Sequence, residues 1–225
     1  MEEEIKRYRF KKNIAVLQRL QAATGAHYMI DLGAWYGTVA ETMQSWFTEY
    51  HAYEAVADIY TALVKRCPFI KTYNETILTQ YQESRGYFDV DPQNTVETSG
   101  WYTDKSSTTI QLKIGPVITP EQLIERHAAI LPDAGVKINI EGVDLDMVEA
   151  LIVSNYRPLF IVFEVFGKDR LRFLSKLWPK LAITYGLRAQ HFISSTGPVV
   201  HVGVAHEQLM WWHNDSNGYY NLNLV

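Results

Sequence analysis

The stretch Tyr28-Met29-Ile30-Asp31-Leu32-Gly33-Ala34-Trp35-Tyr36-Gly37 decides the fold. Its first five residues read as a buried strand, and Gly33 breaks it. From residue 37 to 47, Val39, Met43, Trp46 and Phe47 gather on one side of a helix. A strand, a tight glycine turn and a helix start let the backbone approach a ligand and leave N–H groups free. In an open α/β sheet, ligands bind in such a crevice at the carboxyl end of a parallel strand.

The same alternation continues outward. Residues 50–54 and 69–73 read as strands and 56–66 as the helix between them. Upstream, residues 2–22 form an expected N-terminal helix closed by Gly25, with Lys6, Arg7, Arg9, Lys11 and Lys12 on its first half. That basic cluster suits a solvated face better than a lid over an anionic substrate. Downstream, residues 77–81 and 87–90 flank Arg85-Gly86 as an expected hairpin, and 91–117 is a long polar segment. Thr119 as N-cap and Pro120 at the first helical position start a helix running to about residue 130. Strands are then expected at 136–140 and 159–165, helices at 144–153 and 168–178, and further strands near 187–193, 198–204 and 219–225. Trp211, Trp212 and His213 read as the end of a helix, or as rings for stacking on a sugar. Strands alternating with helices imply parallel pairing. No linker divides the chain, so 1–225 reads as one domain: an N-terminal helical extension (1–24), a central part, and C-terminal strands with substrate-side elements (167–225).

Composition narrows the function. The formal net charge of −4 argues against a nucleic-acid binder, whose phosphate affinity comes from clustered Lys and Arg. The single cysteine, Cys67, permits neither an intrachain disulfide nor a thiolate metal cluster. His201 and His206 are five apart, which does not match a helical metal pair, so no structural zinc and no metal-ligating residues are expected, while a loosely bound magnesium at Asp or Glu stays open. No signal peptide and no membrane span stand out, and a cytoplasmic location is expected. The sequence does not set the oligomeric state.

The spacing Asp-x-Gly-x-x-x-Gly is not the Gly-x-Gly-x-x-Gly of dinucleotide binders, whose second glycine would fall on Trp35. Asp31 adds negative charge at the strand end. Glu54 follows it by 23 residues, at the end of the second strand, where an acid can accept both hydroxyls of a ribose. Taken singly, these residues suit a plain strand-to-helix turn and a surface acid. Taken together, Asp31, Gly33, Gly37 and Glu54 suggest a nucleoside cofactor carrying positive charge, which S-adenosyl-L-methionine fits. Trp35 or Tyr36 could add a cation–π contact.

Four blocks in order resemble the FkbM family of S-adenosylmethionine-dependent methyltransferases. Residues Asp31 to Gly37, with Ala34, Trp35 and Tyr36 inside, resemble its cofactor loop, and Tyr53-Glu54-Ala55 its ribose-binding acid. Val136-Lys137-Ile138-Asn139-Ile140-Glu141-Gly142-Val143-Asp144 resembles its Lys-Ile-Asp-x-Glu-Gly-x-Glu signature, and Pro158 to Glu164 the strand that follows. The resemblance spans residues 26–166. It implies a Rossmann-like class I methyltransferase fold: a mostly parallel seven-stranded sheet flanked by helices, with an N-terminal helix and an inserted hairpin. It implies O-methylation of a small polar acceptor, a sugar or glycoconjugate. Cofactor residues are then Asp31, Gly33, Ala34, Trp35, Tyr36, Gly37, Glu54 and Ala55. Glu141 is the expected base, or a cap for the next helix, with Lys137 and Asn139 as positioning groups. Lys137 also suits a structural ion pair, with Glu164 as the expected partner. Asn139 stands where the family has Asp, and Asp144 where it has Glu. The first departure motivates an alternative, a non-catalytic cofactor- or partner-binding module on the same fold.

Overall fold

A computed structural model describes residues 14–79, 86–89, 100–102, 110–140, 142–166, 169–186, 199–205, 208–213 and 219–222. The glycine stretch forms as expected: β1 (Tyr28–Leu32), the turn, then α2 (Thr38–Met43) with a 3-10 turn, Gln44–Trp46. Before it lies α1 (14–24), and after it β2 (Glu49–Tyr53), α3 (Ala57–Arg66) and β3 (Lys71–Tyr73). The basic residues Lys6 to Lys12 lie outside the described residues.

The middle pairs differently from the expected hairpin. Short strand β4 (Thr76–Ile77) pairs in parallel with β8 (Val117–Ile118), whereas β5 (Gly86–Asp89) lies between β6 (Gly100–Tyr102) and β7 (Ile110–Gln111), antiparallel to both. The two segments flanking Arg85-Gly86 therefore join different sheets. Local turn chemistry marks where a chain reverses, but not which strand it meets afterwards.

Helix α4 (Pro120–Arg126) starts as read. The Thr119 side chain accepts from the backbone N–H of Gln122, and the Gln122 side chain reaches back to the N–H of Thr119. Then come β9 (Ala134–Ile138), α5 (Asp144–Val153) and β10 (Phe160–Phe166). The last helical stretch is α6 (Arg170–Arg172), a π-helical turn (Phe173–Leu177) and α7 (Trp178–Thr184), followed by β11 (Val199–Ala205), β12 (Gln208–His213) and β13 (Tyr219–Leu222).

The main sheet has the order β13-β12-β11-β10-β9-β1-β2-β3. Strands β3, β2, β1, β9 and β10 are parallel, and β11, β12 and β13 continue the sheet as an antiparallel meander. The architecture is the expected mostly parallel, Rossmann-like sheet with helices, but among the described residues its strands number eight rather than seven. The strand that was not expected is β12, which carries Trp211, Trp212 and His213 in place of the expected helix end. Leu209-Met210-Trp211-Trp212 is an unbroken apolar run, without the alternation that tells strand from helix, and pairing with both β11 and β13 makes it a strand. The expected strand at 187–193, with His191, lies outside the described residues.

Side chains alternate between two cores. Ile30 and Leu32 of β1, with Ile161, Phe163 and Val165 of β10, pack with Leu123 and Ile124 of α4, Leu145 to Ile152 of α5 and Leu181 of α7. Met29 of β1 and Phe160 and Val162 of β10 pack on the other face, with Leu17 and Leu20 of α1, Met43 of α2 and Leu63 of α3. These layers hold rigid the carboxyl ends of β1, β2 and β9. The strand order switches between β1 and β9, which is where an open sheet leaves a crevice.

Candidate functional site

The turn after β1 is tied to β2 before any ligand is considered. The N–H groups of Gly33 and Ala34 both donate to the Tyr53 carbonyl, at 3.0 and 2.9 Å. The Trp35 N–H donates to Oε2 of Glu54 at 2.9 Å, and the Val56 N–H to Oε1 at 2.9 Å. Trp35 adopts a left-handed φ of 51°, which costs a non-glycine residue about 1 kcal/mol. The bond to Glu54 holds it there. Ala34 is buried, whereas Trp35 and Tyr36 keep partly open rings 5.0 Å apart.

Both glycines of the turn answer to packing. Gly33 has φ +78°, and a Cβ there would stand 1.8 Å from the carbonyl oxygen of Asn139. Gly37, the N-cap of α2, has φ +76°, and a Cβ would meet Leu63 and Cys67. The close approach the sequence offers to a ligand is thus made to β9 and α3.

Asp31 is fully buried, and its carboxylate is occupied. Tyr50 donates its hydroxyl to Oδ2 at 2.8 Å, and Lys137 donates its ammonium to Oδ1 at 2.7 Å. Lys137 also donates to the Gly33 carbonyl at 3.1 Å. The expected lysine ion pair exists, but with Asp31 on β1 rather than Glu164 on β10. The register sets Lys137 beside both Asp31 and Val162, and its side chain reaches the first. Tyr50 was not singled out in the sequence; only the β1–β2 pairing brings it to Asp31. Asp31 therefore does not present a bare charge to a cationic ligand.

Glu54 is buried, and burial raises its carboxyl above the ordinary value. The N–H groups of Val56 and Trp35 oppose that rise, followed by the Lys137 ammonium. Next to it, Ala55 offers its carbonyl to Gly115 and Asn74.

Just past β9, the Asn139 N–H donates to the Leu32 carbonyl at 2.9 Å, while its buried Oδ1 has no hydrogen-bond partner among the described residues. Glu141, the expected base, lies outside the described residues. Asp144 accepts from the N–H groups of Ile140 and Gly142, each at 3.2 Å, and so ties both residues to the start of α5. Burial, then the neighbouring Glu164, pushes the Asp144 carboxyl up to about 7. The structure thus gathers Asp31, Gly33, Ala34, Trp35, Tyr36, Gly37, Glu54, Ala55, Lys137 and Asn139 around the carboxyl ends of three adjacent strands. Among the described residues, no group of three or more His, Cys, Asp or Glu could hold a metal, and no helix is long and apolar enough to cross a membrane.

Behind Glu54 lies a cluster that sequence inspection missed. The Tyr53 hydroxyl lies 2.6 Å from Nε2 of His127, and its ring stacks on Tyr73 at 4.4 Å. His51 lies 4.7 Å from His127, edge to face, with Nδ1 3.2 Å from the Tyr73 hydroxyl. Arg126 joins Tyr53 to Glu75, and Lys71 pairs with Glu49 beside His51. Burial, then His51 and the cations Arg126 and Lys71, lowers the His127 imidazole to about 4; burial, then Lys71, also lowers His51. The unfolded chain therefore takes up the His127 proton first, and stability falls as pH drops from about 6.5 toward 4. Asp144 has the opposite slope over an overlapping window, so the signal is read as a difference. His127→Gln should gain on the wild-type chain by about 2 kcal/mol between pH 7 and pH 4 in urea unfolding. A pH-independent difference would contradict this account.

No family model matches the chain, and no curated protein matches it. Among solved structures, the chain is similar to the methyltransferase domain of bacterial CtHen1, with 13% identity, 86% of this chain and 97% of that one covered, and a TM-score of 0.45. It is also similar to SAM-bound CalS10, an amino pentose methyltransferase from Micromonospora echinaspora, with 12% identity, coverage of 95% and 73%, and a TM-score of 0.40. A third is DesVI from Streptomyces venezuelae, with 13% identity, coverage of 90% and 67%, and a TM-score of 0.36.

Proposed function

We propose that the chain is a methyltransferase that binds S-adenosyl-L-methionine at the β1 turn and methylates a hydroxyl of a small polar acceptor, a sugar or glycoconjugate. The observation that carries this reading is Glu54: a buried carboxylate one strand over from the glycine turn, with each oxygen oriented by a backbone N–H. Each oxygen keeps a further lone pair, so the pair can accept the two ribose hydroxyls. The residues fit the cofactor in a second respect. Asn139 Oδ1 is an orphaned acceptor, and the cofactor is rich in N–H donors. When bound, the sulfonium supplies an activated methyl group.

The chain's own part is positioning and proton removal. Holding the acceptor oxygen in line with the methyl group is worth several kcal/mol. A base near the end of β9 takes the hydroxyl proton, and Glu141 is assigned that role. The resemblance to the FkbM family and the asparagine at position 139 leave a second reading with its own motive, binding without turnover. Asn139→Asp separates them: methyl transfer appearing only in that variant would mark the native chain as a binding module.

Calorimetry with S-adenosylmethionine and its demethylated product tests the cofactor assignment. Micromolar-range binding is expected, and Glu54→Gln should weaken it by about tenfold or more, the worth of hydrogen bonds to a charged group. Absence of heat and of any thermal shift with both ligands would refute it.

A further inference from the structure

Resting on that reading, we propose that Lys137 recognises the carboxylate at the amino-acid end of the cofactor. The sequence assigns the charge at the glycine turn to Asp31, but Asp31 is fully buried, with both oxygens taken by Tyr50 and Lys137. The charge a ligand meets there is therefore the ammonium. Its side chain is 14% exposed, and its bonds to Asp31 Oδ1 and the Gly33 carbonyl use two of three N–H groups. The remaining N–H has no hydrogen-bond partner among the described residues and is a charged donor near the carboxyl ends of β1 and β9, where the strand order switches.

Two residues on, Asn139 supplies the complementary group, a buried Oδ1 that accepts from nothing described. A spare cationic donor and a neutral orphan acceptor, close in the chain at one strand end, match an α-amino-acid zwitterion: carboxylate to Lys137, ammonium to Asn139. An aspartate at 139 would instead give Lys137 a competing anionic partner. The site thus selects a nucleoside that carries a whole amino acid, not the nucleoside alone.

The test compares three ligands by calorimetry on the full chain: S-adenosylhomocysteine, its decarboxylated analogue S-adenosyl-3-thiopropylamine, and 5′-methylthioadenosine. In the wild-type chain the decarboxylated analogue should bind about tenfold or more weaker than S-adenosylhomocysteine, since a charged hydrogen bond is lost. In the double variant Asp31→Asn/Lys137→Met, which removes the buried charges together, the two affinities should agree within about twofold. Equal affinities in the wild-type chain, or a difference that survives in the folded double variant, would overturn the assignment. Should that double variant not fold, Asp31→Asn/Lys137→Gln removes the same charges with polar side chains of similar shape, and a difference that survives there would equally overturn it. Binding of methylthioadenosine with no discrimination between the other two ligands sinks this inference alone. If none of the three binds, the nucleoside site itself fails.

Discussion

Replacing Gly33 by alanine should destabilise the protein by about 4 kcal/mol or more, among the largest effects a single methyl group can have. Two costs combine. The backbone at Gly33 has φ +78°, which strains any residue with a Cβ. The Cβ would also lie 1.8 Å from the carbonyl oxygen and 2.7 Å from the carbonyl carbon of Asn139. That neighbour is backbone, so no side chain can swing aside. Asn139 is itself held to Leu32 by a 2.9 Å hydrogen bond that continues the β1–β9 ladder. Making room means opening β1 and β9 at their carboxyl ends. Gly25→Ala is the control. Gly25 has a similar φ of +69° with nothing near its Cβ, so only the conformational cost of about 1 kcal/mol applies. Urea unfolding of both variants measures the contrast, and a Gly33→Ala protein as stable as Gly25→Ala would show that the approach of β9 to the turn is wrongly described.

Lys137→Met should cost about 3–5 kcal/mol, because among the described residues it leaves the buried Asp31 carboxylate with only the Tyr50 hydroxyl for a partner. The lysine stem is replaced by a side chain of similar length, so packing is largely kept and the loss is electrostatic. Asp31→Asn added to Lys137→Met removes the stranded charge, and most of the lost stability should return. Denaturant melts of the wild type, both single variants and the double variant close the cycle. A double variant that loses the sum of the two single effects would mean that the residues are not coupled, against the 2.7 Å bond between them.

The pairing of those residues marks the limit of what was legible in the chain. A lysine inside an apolar strand announces that it needs a partner, but two acids stood on the neighbouring strands. The direction of the side chain chose Asp31. The same pairing leaves no bare negative charge at the β1 turn among the described residues, so the charged groups there are the Glu54 carboxyl and the Lys137 ammonium. Glu141 and the basic first half of the N-terminal helix lie outside the described residues.

Features set by near neighbours in the chain were readable directly. The capped start of α4, the span of α5, the break at Gly33 and the acid after β2 each follow from residues within a turn of one another. Their periodicities and caps specify an alternating, mostly parallel fold with a crevice after β1. The tertiary structure alone decided which strand takes up Leu209 to Trp212, which sheets the Arg85-Gly86 flanks join, and who neutralises Asp31. Those outcomes depend on strand register and side-chain reach between segments as much as 106 residues apart, and hydrophobic periodicity carries no information about such distant pairs.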